Sequence, residues 1–130
     1  MVTDPISDFI TRIKNASDAR KEIVSIPYSS LKENIAHSLI KGGYVNTVEV
    51  HGKQINKTLE ISISYIDKNP RINGVLRISK PSRRVYLGAK DIRMFKSGFG
   101  NTVLSTPQGI LLDVDAKKIK IGGEVLFKIW

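Results

Sequence analysis

The spacing of apolar residues changes near residue 67, and this change limits the fold more than any other feature of the sequence. Before it, the apolar residues follow the periods of two helices and several strands. After it, short β-branched segments are separated by glycine, proline and asparagine. We therefore predict an α+β protein in which an N-terminal α-β-α-β-β unit, residues 1–67, packs against a mainly β domain, residues 68–130. The length of 130 residues suits one ordinary domain or two small ones.

The first part is predicted to contain two helices and three strands. Asp4 caps the first helix and Pro5 suits its first turn. Ser30 is the predicted cap of the second helix, because Glu33 follows at capping-box spacing, and the glycines 42 and 43 are predicted to end that helix. The apolar stripe of the first helix is Ile6, Phe9, Ile10 and Ile13. The strands are predicted at residues 22–27, 44–50 and 57–65.

The second part is predicted to be a series of short strands. They lie at residues 74–79, 83–87, 103–105, 109–112 and 124–129. Single helical turns are predicted at residues 91–95 and 115–118.

The positive charge is concentrated in one segment. The chain has a net charge of +9, and residues 66–130 hold 13 basic and 5 acidic residues. Residues 68–96 alone carry nine basic residues against the single acid Asp91. Such a cluster repels itself and favours a polyanionic partner, of which nucleic acid is the commonest. A charged surface that serves only solubility is the alternative.

The composition does not favour an enzyme. Without cysteine, thiol catalysis and zinc–thiolate sites are excluded, and no phosphate-binding loop is present. His37 and His51 have no motif neighbours, so we expect structural roles for them. Asp113 and Asp115 could share a strand face and hold Mg²⁺, but closing a turn is the simpler role. We expect no cofactor, no metal and no small-molecule substrate.

Two further features concern location. No apolar run approaches the roughly 20 residues that span a bilayer. The first residues lack the basic and apolar regions of a secretory signal. We therefore expect a cytoplasmic protein with no membrane partner.

A basic segment with one aromatic residue is the first candidate binding feature. Cations surround a proline turn, and such cations pair with phosphates. They are Arg77, Lys80, Arg83 and Arg84. Tyr86 follows them and could stack on a base, although a core tyrosine with its hydroxyl at the rim is equally consistent with the sequence.

Two small polar motifs complete the candidate site. Ser105 and Thr106 are expected in a turn that ends at Gly109, where hydroxyls and backbone amides suit the shallow minor groove of RNA. From the residues alone, a plain hairpin turn is the simpler interpretation. Later, Gly122 and Gly123 permit a close approach of the backbone, and Glu124 could accept a hydrogen bond from a base. An acid is unfavourable near phosphates, so a structural role is the simpler interpretation of this motif.

These motifs resemble a known family. The strongest match is Gly100-x-x-Val103-Leu104-Ser105-Thr106-x-x-Gly109-Ile110-Leu111, followed by Ala116-Lys117. It is similar to the signature of the universal S8 family of small-subunit ribosomal proteins. The opening helix, the segment Ser30-Leu31-Lys32, the basic segment with Tyr86 and the closing Gly122-Gly123-Glu124 agree with the same family. The resemblance covers essentially the whole chain.

The resemblance implies a non-enzymatic RNA-binding protein of two small domains. Its primary partner would be a helix with an internal loop in the central domain of small-subunit ribosomal RNA. Its further partners would be small-subunit ribosomal proteins five and seventeen and the messenger RNA of its own operon, which it would repress. The source could be bacterial or organellar. The implied RNA-binding residues are Ser105, Thr106, Gln108, Gly109, Tyr86, Gly122, Gly123, Glu124, Lys80, Arg83, Arg84, Arg77, Arg12, Lys14 and Lys32.

Departures from the family pattern and two rival functions stay open. Pro107 stands where the family usually has a third hydroxyl residue, which stiffens the loop and removes one N–H donor. Arg83 replaces a commonly apolar residue, while Ser82 and Ala16 replace glycines. A general duplex-binding module would share the charge but not the loop preference. A metal-dependent nuclease would need a ligand cluster that the sequence does not show.

Overall fold

The computed structural model describes residues 4–93 and 99–130. These residues form three α-helices and ten strands, so the predicted α+β class is confirmed. The helices are α1 (Pro5–Asp18), α2 (Ser30–Lys41) and α3 (Asp113–Lys118). The strands of the first half are β1 (Ile23–Pro27), β2 (Val45–His51), β3 (Thr58–Ile63), β4 (Tyr65–Ile66) and β5 (Asn69–Pro70). Those of the second half are β6 (Val75–Arg77), β7 (Tyr86–Leu87), β8 (Asn101–Thr106), β9 (Gly109–Leu112) and β10 (Gly123–Ile129).

The strands form two main antiparallel sheets. The first has the order β1-β3-β2. The second has the order β6-β10-β8-β9, with β7 also paired to β10. A small hairpin of β4 and β5 lies between them in the chain, and the predicted boundary at residue 67 falls in its turn. The N-terminal and C-terminal halves therefore contribute separate sheets.

Strand β10 has one irregularity, which shifts the register of its pairing with β8. Val125 pairs with Leu104 of β8, but Phe127 pairs with Val103. Leu126 is thus an extra residue, a β-bulge. Its carbonyl accepts hydrogen bonds from the Ile78 amide at 3.2 Å and from the Arg77 guanidinium.

Helix α1 forms as its sequence predicts. The Asp4 carboxylate accepts a hydrogen bond from the Ser7 amide at 3.2 Å, and Pro5 occupies the first turn. The four predicted apolar residues are all buried on one face: Ile6, Phe9, Ile10 and Ile13. This burial anchors α1 over the core.

The predicted cap of α2 was wrong by one residue. The cap is Ser29, whose hydroxyl accepts from the Lys32 amide at 3.1 Å, and Ser30 is the first helical residue. Glu33 therefore does not stand at capping-box spacing from the cap; its carboxylate accepts from the Tyr28 hydroxyl at 3.1 Å instead. The predicted end was right, since Gly42 caps the helix and Gly43 has a φ of +80° that favours glycine.

Other sequence predictions needed adjustment in the second half. The short helix predicted at residues 115–118 begins earlier, so Asp113 and Asp115 lie in the first turn of α3 and not on a strand face. Asp113 is buried and accepts from the Asn101 amide at 2.9 Å, which removes it as a magnesium ligand of the kind considered. A 3-10 turn occupies Ala89–Asp91, ahead of the helical turn predicted at residues 91–95, of which 94 and 95 lie outside the described residues.

The main hydrophobic core takes residues from both halves of the chain. Phe9, Leu39 and Ile61 come from the N-terminal half, and Val103 and Phe127 come from the second sheet. A smaller cluster lies beneath α3 and includes Leu104, Ala116 and Val125. The two-domain division stays a prediction, because a shared core is compatible with two small units that pack closely.

Candidate nucleic-acid interface

Three of the predicted site residues form one row across the second sheet. Tyr86 of β7 is the register partner of Glu124 of β10, and Glu124 is the partner of Ser105 of β8. Ile110 of β9 continues the row beyond Ser105. Register partners in a sheet point to the same face, so these four side chains lie side by side. We call this set, Tyr86, Glu124, Ser105 and Ile110, the recognition row.

Tyr86 and Ser105 of the recognition row differ in exposure. Tyr86 is 68% exposed, which excludes the alternative of a core tyrosine. Its ring therefore presents an aromatic surface to solvent at one end of the row. Ser105 is partly buried, and its hydroxyl has no hydrogen-bond partner within the described residues.

The two hydroxyl residues do not lie in a turn as predicted. Ser105 and Thr106 are the last two residues of β8, and the turn consists of Pro107 and Gln108. The Thr106 hydroxyl donates to the Gly109 carbonyl at 2.7 Å and accepts from the Gln108 amide at 3.2 Å. Thr106 is buried, so in this structure its hydroxyl shapes the turn.

The glycine pair brings neighbouring strands close together. A Cβ on Gly123 would lie 2.2 Å from the Ser105 carbonyl oxygen, and one on Gly122 would lie 2.3 Å from that of Leu87. Both distances are far below ordinary contact. The predicted close approach is therefore present, but the surface approached is the protein's own β7 and β8.

Glu124 is paired with a cation. Arg84 Nη1 lies 3.1 Å from Glu124 Oε2, and the carboxylate is mostly buried while the arginine is half exposed. This contact neutralises an acid that would otherwise repel a phosphate chain. It also ties the basic segment to the recognition row.

The basic segment forms a tight turn that is closed by two backbone hydrogen bonds. Lys80 and Arg83 bridge each other through two backbone hydrogen bonds of 2.8 and 2.9 Å, with Pro81 and Ser82 between them. Their exposed side chains are like-charged and directly opposite, an arrangement that is unfavourable without an anion. We call residues 80–84 the basic turn.

Ser79 anchors the basic turn, a role that the sequence analysis missed. Its buried hydroxyl accepts a hydrogen bond from the Val85 amide at 2.9 Å and donates one to the Val85 carbonyl at 3.2 Å. The Ser79 amide donates to Val125 of β10 at 3.2 Å. A serine between isoleucine and lysine carries no signal of this role, because the partner is six residues away.

Arg77 has a different position from the other predicted cations. Its guanidinium is largely buried, pairs with the Asp4 carboxylate at 3.0 Å and also donates to the Leu126 carbonyl at the β-bulge. Burial alone would raise the pKa of Asp4, but the hydrogen bonds from Arg77 and the Ser7 amide hold it below its usual value of 3.8. These contacts occupy Arg77 within the protein, so they argue against the phosphate contact expected of it.

The predicted cations of the helices have mixed surroundings. Arg12 pairs with Asp8 at 3.0 Å and Lys14 pairs with Asp18 at 2.5 Å, both one helical turn apart on α1. Lys32 lies in the first turn of α2, where only its backbone amide is used for capping. The structure does not bring the α1 pair into the recognition row.

A groove extends the site from the β8–β9 hairpin to α2. It has a volume of about 320 Å³. The hairpin contributes Gln108, Gly109 and Ile110, and α2 contributes Asn34, His37 and Lys41. Since Ile110 ends the recognition row, the row and the groove are continuous. The three α2 residues were not predicted, because nothing in a helical pattern shows which hairpin will lie beside it.

The fold and this surface define a class of protein. A small α+β chain presents an exposed aromatic ring, a hydroxyl with no partner among the described residues and a basic turn on one surface, which is typical of RNA-binding proteins. The family model for ribosomal protein S8 matches residues 4–130. The chain belongs to the ribosomal protein S8 family, as its motifs predicted.

Individual relatives agree along the whole chain. The chain is 48% identical to small ribosomal subunit protein uS8 of Persephonella marina and 44% identical to that of Nitratidesulfovibrio vulgaris, with 100% of both chains covered in each case. It is 41% identical to the uS8 protein of Dictyoglomus thermophilum, over 99% of this chain and 98% of the relative.

The family bears on the expectation that this chain is not an enzyme. The relatives are structural ribosomal proteins and not enzymes, so the prediction of a non-enzymatic chain is confirmed by the family. Among the described residues, no helix is both long and apolar enough to cross a bilayer.

Proposed function

We propose that this protein is a structural component of the small ribosomal subunit and binds a helix with an internal loop in the central domain of its ribosomal RNA. The observation that carries the proposal is the alignment of Tyr86, Glu124 and Ser105 in one row beside the basic turn. Groups that contact bases and groups that contact phosphates are thereby combined on one surface.

The basic turn supplies the sequence-independent part of binding. Lys80 and Arg83 are exposed and like-charged, so a phosphate between them relieves their repulsion. Arg84 is half exposed and bonded to Glu124, which positions its guanidinium at the edge of the row. These cations fix the orientation of the RNA without reading its sequence.

The recognition row supplies the discrimination. In A-form RNA the shallow minor groove exposes 2′-hydroxyls, and an internal loop exposes base faces. The Ser105 hydroxyl is free to bond a sugar or base, while Tyr86 offers a ring on which an unpaired base can stack. Thr106 acts through the turn that it shapes, and Gly122 and Gly123 act by allowing the strands to approach.

The remaining predicted residues are expected to contribute unequally to RNA binding. Gln108 and Gly109 lie in the groove beside α2, where Lys41 adds a cation, so the RNA footprint extends from the second half of the chain onto the first. Lys32 contributes from the start of α2. Arg12 and Lys14 contribute less, since both are already paired with acids.

Several finer expectations from the family resemblance belong to the same proposal. They are assembly beside small-subunit proteins five and seventeen, repression of its own operon through messenger RNA, and a bacterial cytoplasmic location, the relatives being of bacterial type. The division into domains of residues 1–67 and 68–130 would place most RNA contacts on the second domain.

A salt titration tests the proposal. Binding to the central-domain helix is compared with binding to a duplex of equal length that lacks the internal loop. We expect a preference of roughly a thousandfold for the looped RNA. Equal affinities with equally steep salt dependence would contradict the proposal and leave a general duplex-binding module.

A further inference from the structure

Three potential metal ligands meet on the outer face of the N-terminal sheet, apart from the recognition row. Glu49 of β2 and Glu60 of β3 are direct register partners, and His51 is two residues further along β2, so it points to the same face. His51 Nε2 lies 3.0 Å from Glu49 Oε2 and 3.1 Å from Glu60 Oε2. The three ligand atoms all lie within 4.8 Å of one another.

A neutral imidazole cannot donate a full hydrogen bond to both carboxylates. A neutral ring carries at most one hydrogen on Nε2, yet two carboxylates approach that one atom. The carboxylates of Glu49 and Glu60 also repel each other, because like charges lie directly opposite across the strand pair. A cation held by all three groups removes the repulsion and uses the Nε2 lone pair.

The two distances from the His51 nitrogen suit a small tetrahedral ion. With metal–ligand bonds of about 2.0–2.1 Å, neighbouring ligand atoms in a tetrahedral site lie roughly 3.3 Å apart. The two His51 distances are close to that value. One imidazole with two carboxylates is a donor set that Zn²⁺ accepts, whereas Mg²⁺ and Ca²⁺ prefer oxygen alone.

We propose that Glu49, His51 and Glu60 form a binding site for a divalent transition-metal ion, with Zn²⁺ as the probe and water at the fourth position. All three side chains are solvent-accessible, so the ion can enter from bulk water. Because the ligands come from two strands, the ion would link β2 to β3 beside the turn at residues 52–57. Its expected role is to stabilise this hairpin.

Calorimetric titration of the untagged chain with zinc chloride, in a buffer that does not chelate, tests the site. We expect one Zn²⁺ per chain, and His51→Ala or Glu60→Gln should weaken binding by about tenfold or more. His37→Ala is the matched control, because His37 pairs with the single carboxylate of Glu33 at 3.4 Å. This control variant should bind Zn²⁺ with the same affinity as the wild type.

A second measurement distinguishes metal binding from a simple hydrogen bond. Saturating Zn²⁺ should raise the Tm of the wild type and of His37→Ala but not that of His51→Ala. If His51 only hydrogen-bonds the two glutamates, His51→Ala will lower the Tm while Zn²⁺ leaves the wild type unchanged. That outcome, or equal Zn²⁺ affinity in wild type and His51→Ala, would overturn the proposal.

Discussion

The hydroxyl of Tyr44 donates to Oδ1 of Asn101 at 2.7 Å, which joins the connection between α2 and β2 to the first residue of β8. The Asn101 amide in turn donates to the buried Asp113 carboxylate at 2.9 Å. The Arg71 guanidinium stacks on the Tyr44 ring, 4.3 Å from its centroid. A polar chain therefore runs between the two halves through the shared core.

Tyr44→Phe should lower the stability of the whole chain. The ring and its contact with Arg71 would remain, but the Asn101 carbonyl and the Ile129 carbonyl would each lose a donor. We expect a loss of about 1–3 kcal/mol in the free energy of unfolding, measured in urea. Asn101→Ala should be partly non-additive with it in a double-mutant cycle. Full additivity would show that the two residues do not interact.

The Asp4–Arg77 pair should give a defined pH dependence. The folded-state pKa of Asp4 is below its usual 3.8, so its stabilising effect is complete above that pH and is lost as the pH falls through the folded pKa. Asp4→Asn keeps a good helix cap but loses the ion pair. The stability gap between wild type and variant should be constant from pH 7 to 5 and close below about 3.8. A gap unchanged at pH 3 would contradict this.

Gly123→Ala should be strongly destabilising. The added Cβ would meet the Ser105 carbonyl oxygen at 2.2 Å, and both partners are fixed in the sheet. We expect a loss of about 3 kcal/mol, since two strands must separate. Gly88→Ala is the control, because its nearest contact is an ordinary 3.5 Å to a side-chain oxygen and its φ is −75°. Similar losses in the two variants would mean that the close approach is unimportant.

Ser105→Ala and Thr106→Ala should separate RNA contact from turn shape. The Ser105 hydroxyl has no partner in the described part of the protein, so its removal should leave unfolding nearly unchanged and weaken looped RNA by about tenfold. Thr106→Ala loses two internal hydrogen bonds and should cost about 1–2 kcal/mol in unfolding as well. Neither change should alter binding to a plain duplex. Equal losses on both RNAs would remove Ser105 from the base-reading set.

Arg84→Ala should weaken RNA binding for two reasons. It removes a cation and leaves the mostly buried Glu124 carboxylate unpaired beside the phosphates. Adding Glu124→Gln to Arg84→Ala should therefore recover part of the affinity, measured by filter binding at fixed salt. If the double variant binds more weakly than Arg84→Ala alone, Glu124 contacts the RNA directly and does more than hold Arg84.

Local signals in the sequence predicted most of the fold but little of the site's geometry. The period and caps of α1 were sufficient because every partner lies within one helical turn. Adjacent Ser29 and Ser30 are chemically equal candidates for a cap, so the sequence could not choose between them. The pairing of Arg77 could not be predicted, because its partner, Asp4, lies 73 residues away. Proximity over that distance depends on the packing of α1 against β6.

The site itself depended on strand register. Tyr86, Glu124 and Ser105 were each predicted from local chemistry, but only strand pairing shows that they share one row. The family resemblance supplied their grouping. From the residues alone, the strand is predicted to end at residue 105 with the hydroxyls in the turn, whereas β8 continues to Thr106. Serine and threonine are common both in turns and at strand ends, so the composition could not locate the end of the strand.

The bulge at Leu126 has a consequence for how this chain can change length. On the C-terminal side of the bulge, Phe127 and Ile129 pair with residues of β8. On its N-terminal side, Glu124 pairs with Ser105. Deleting Leu126 would place Val125 and Phe127 opposite the adjacent residues Leu104 and Val103, so Glu124 would stay beside Ser105 and on the same face. The chain can therefore lose one residue at this point without a change of register on either side. A variant that lacks Leu126 should lose stability, because this side chain is buried, and still distinguish looped RNA from a plain duplex.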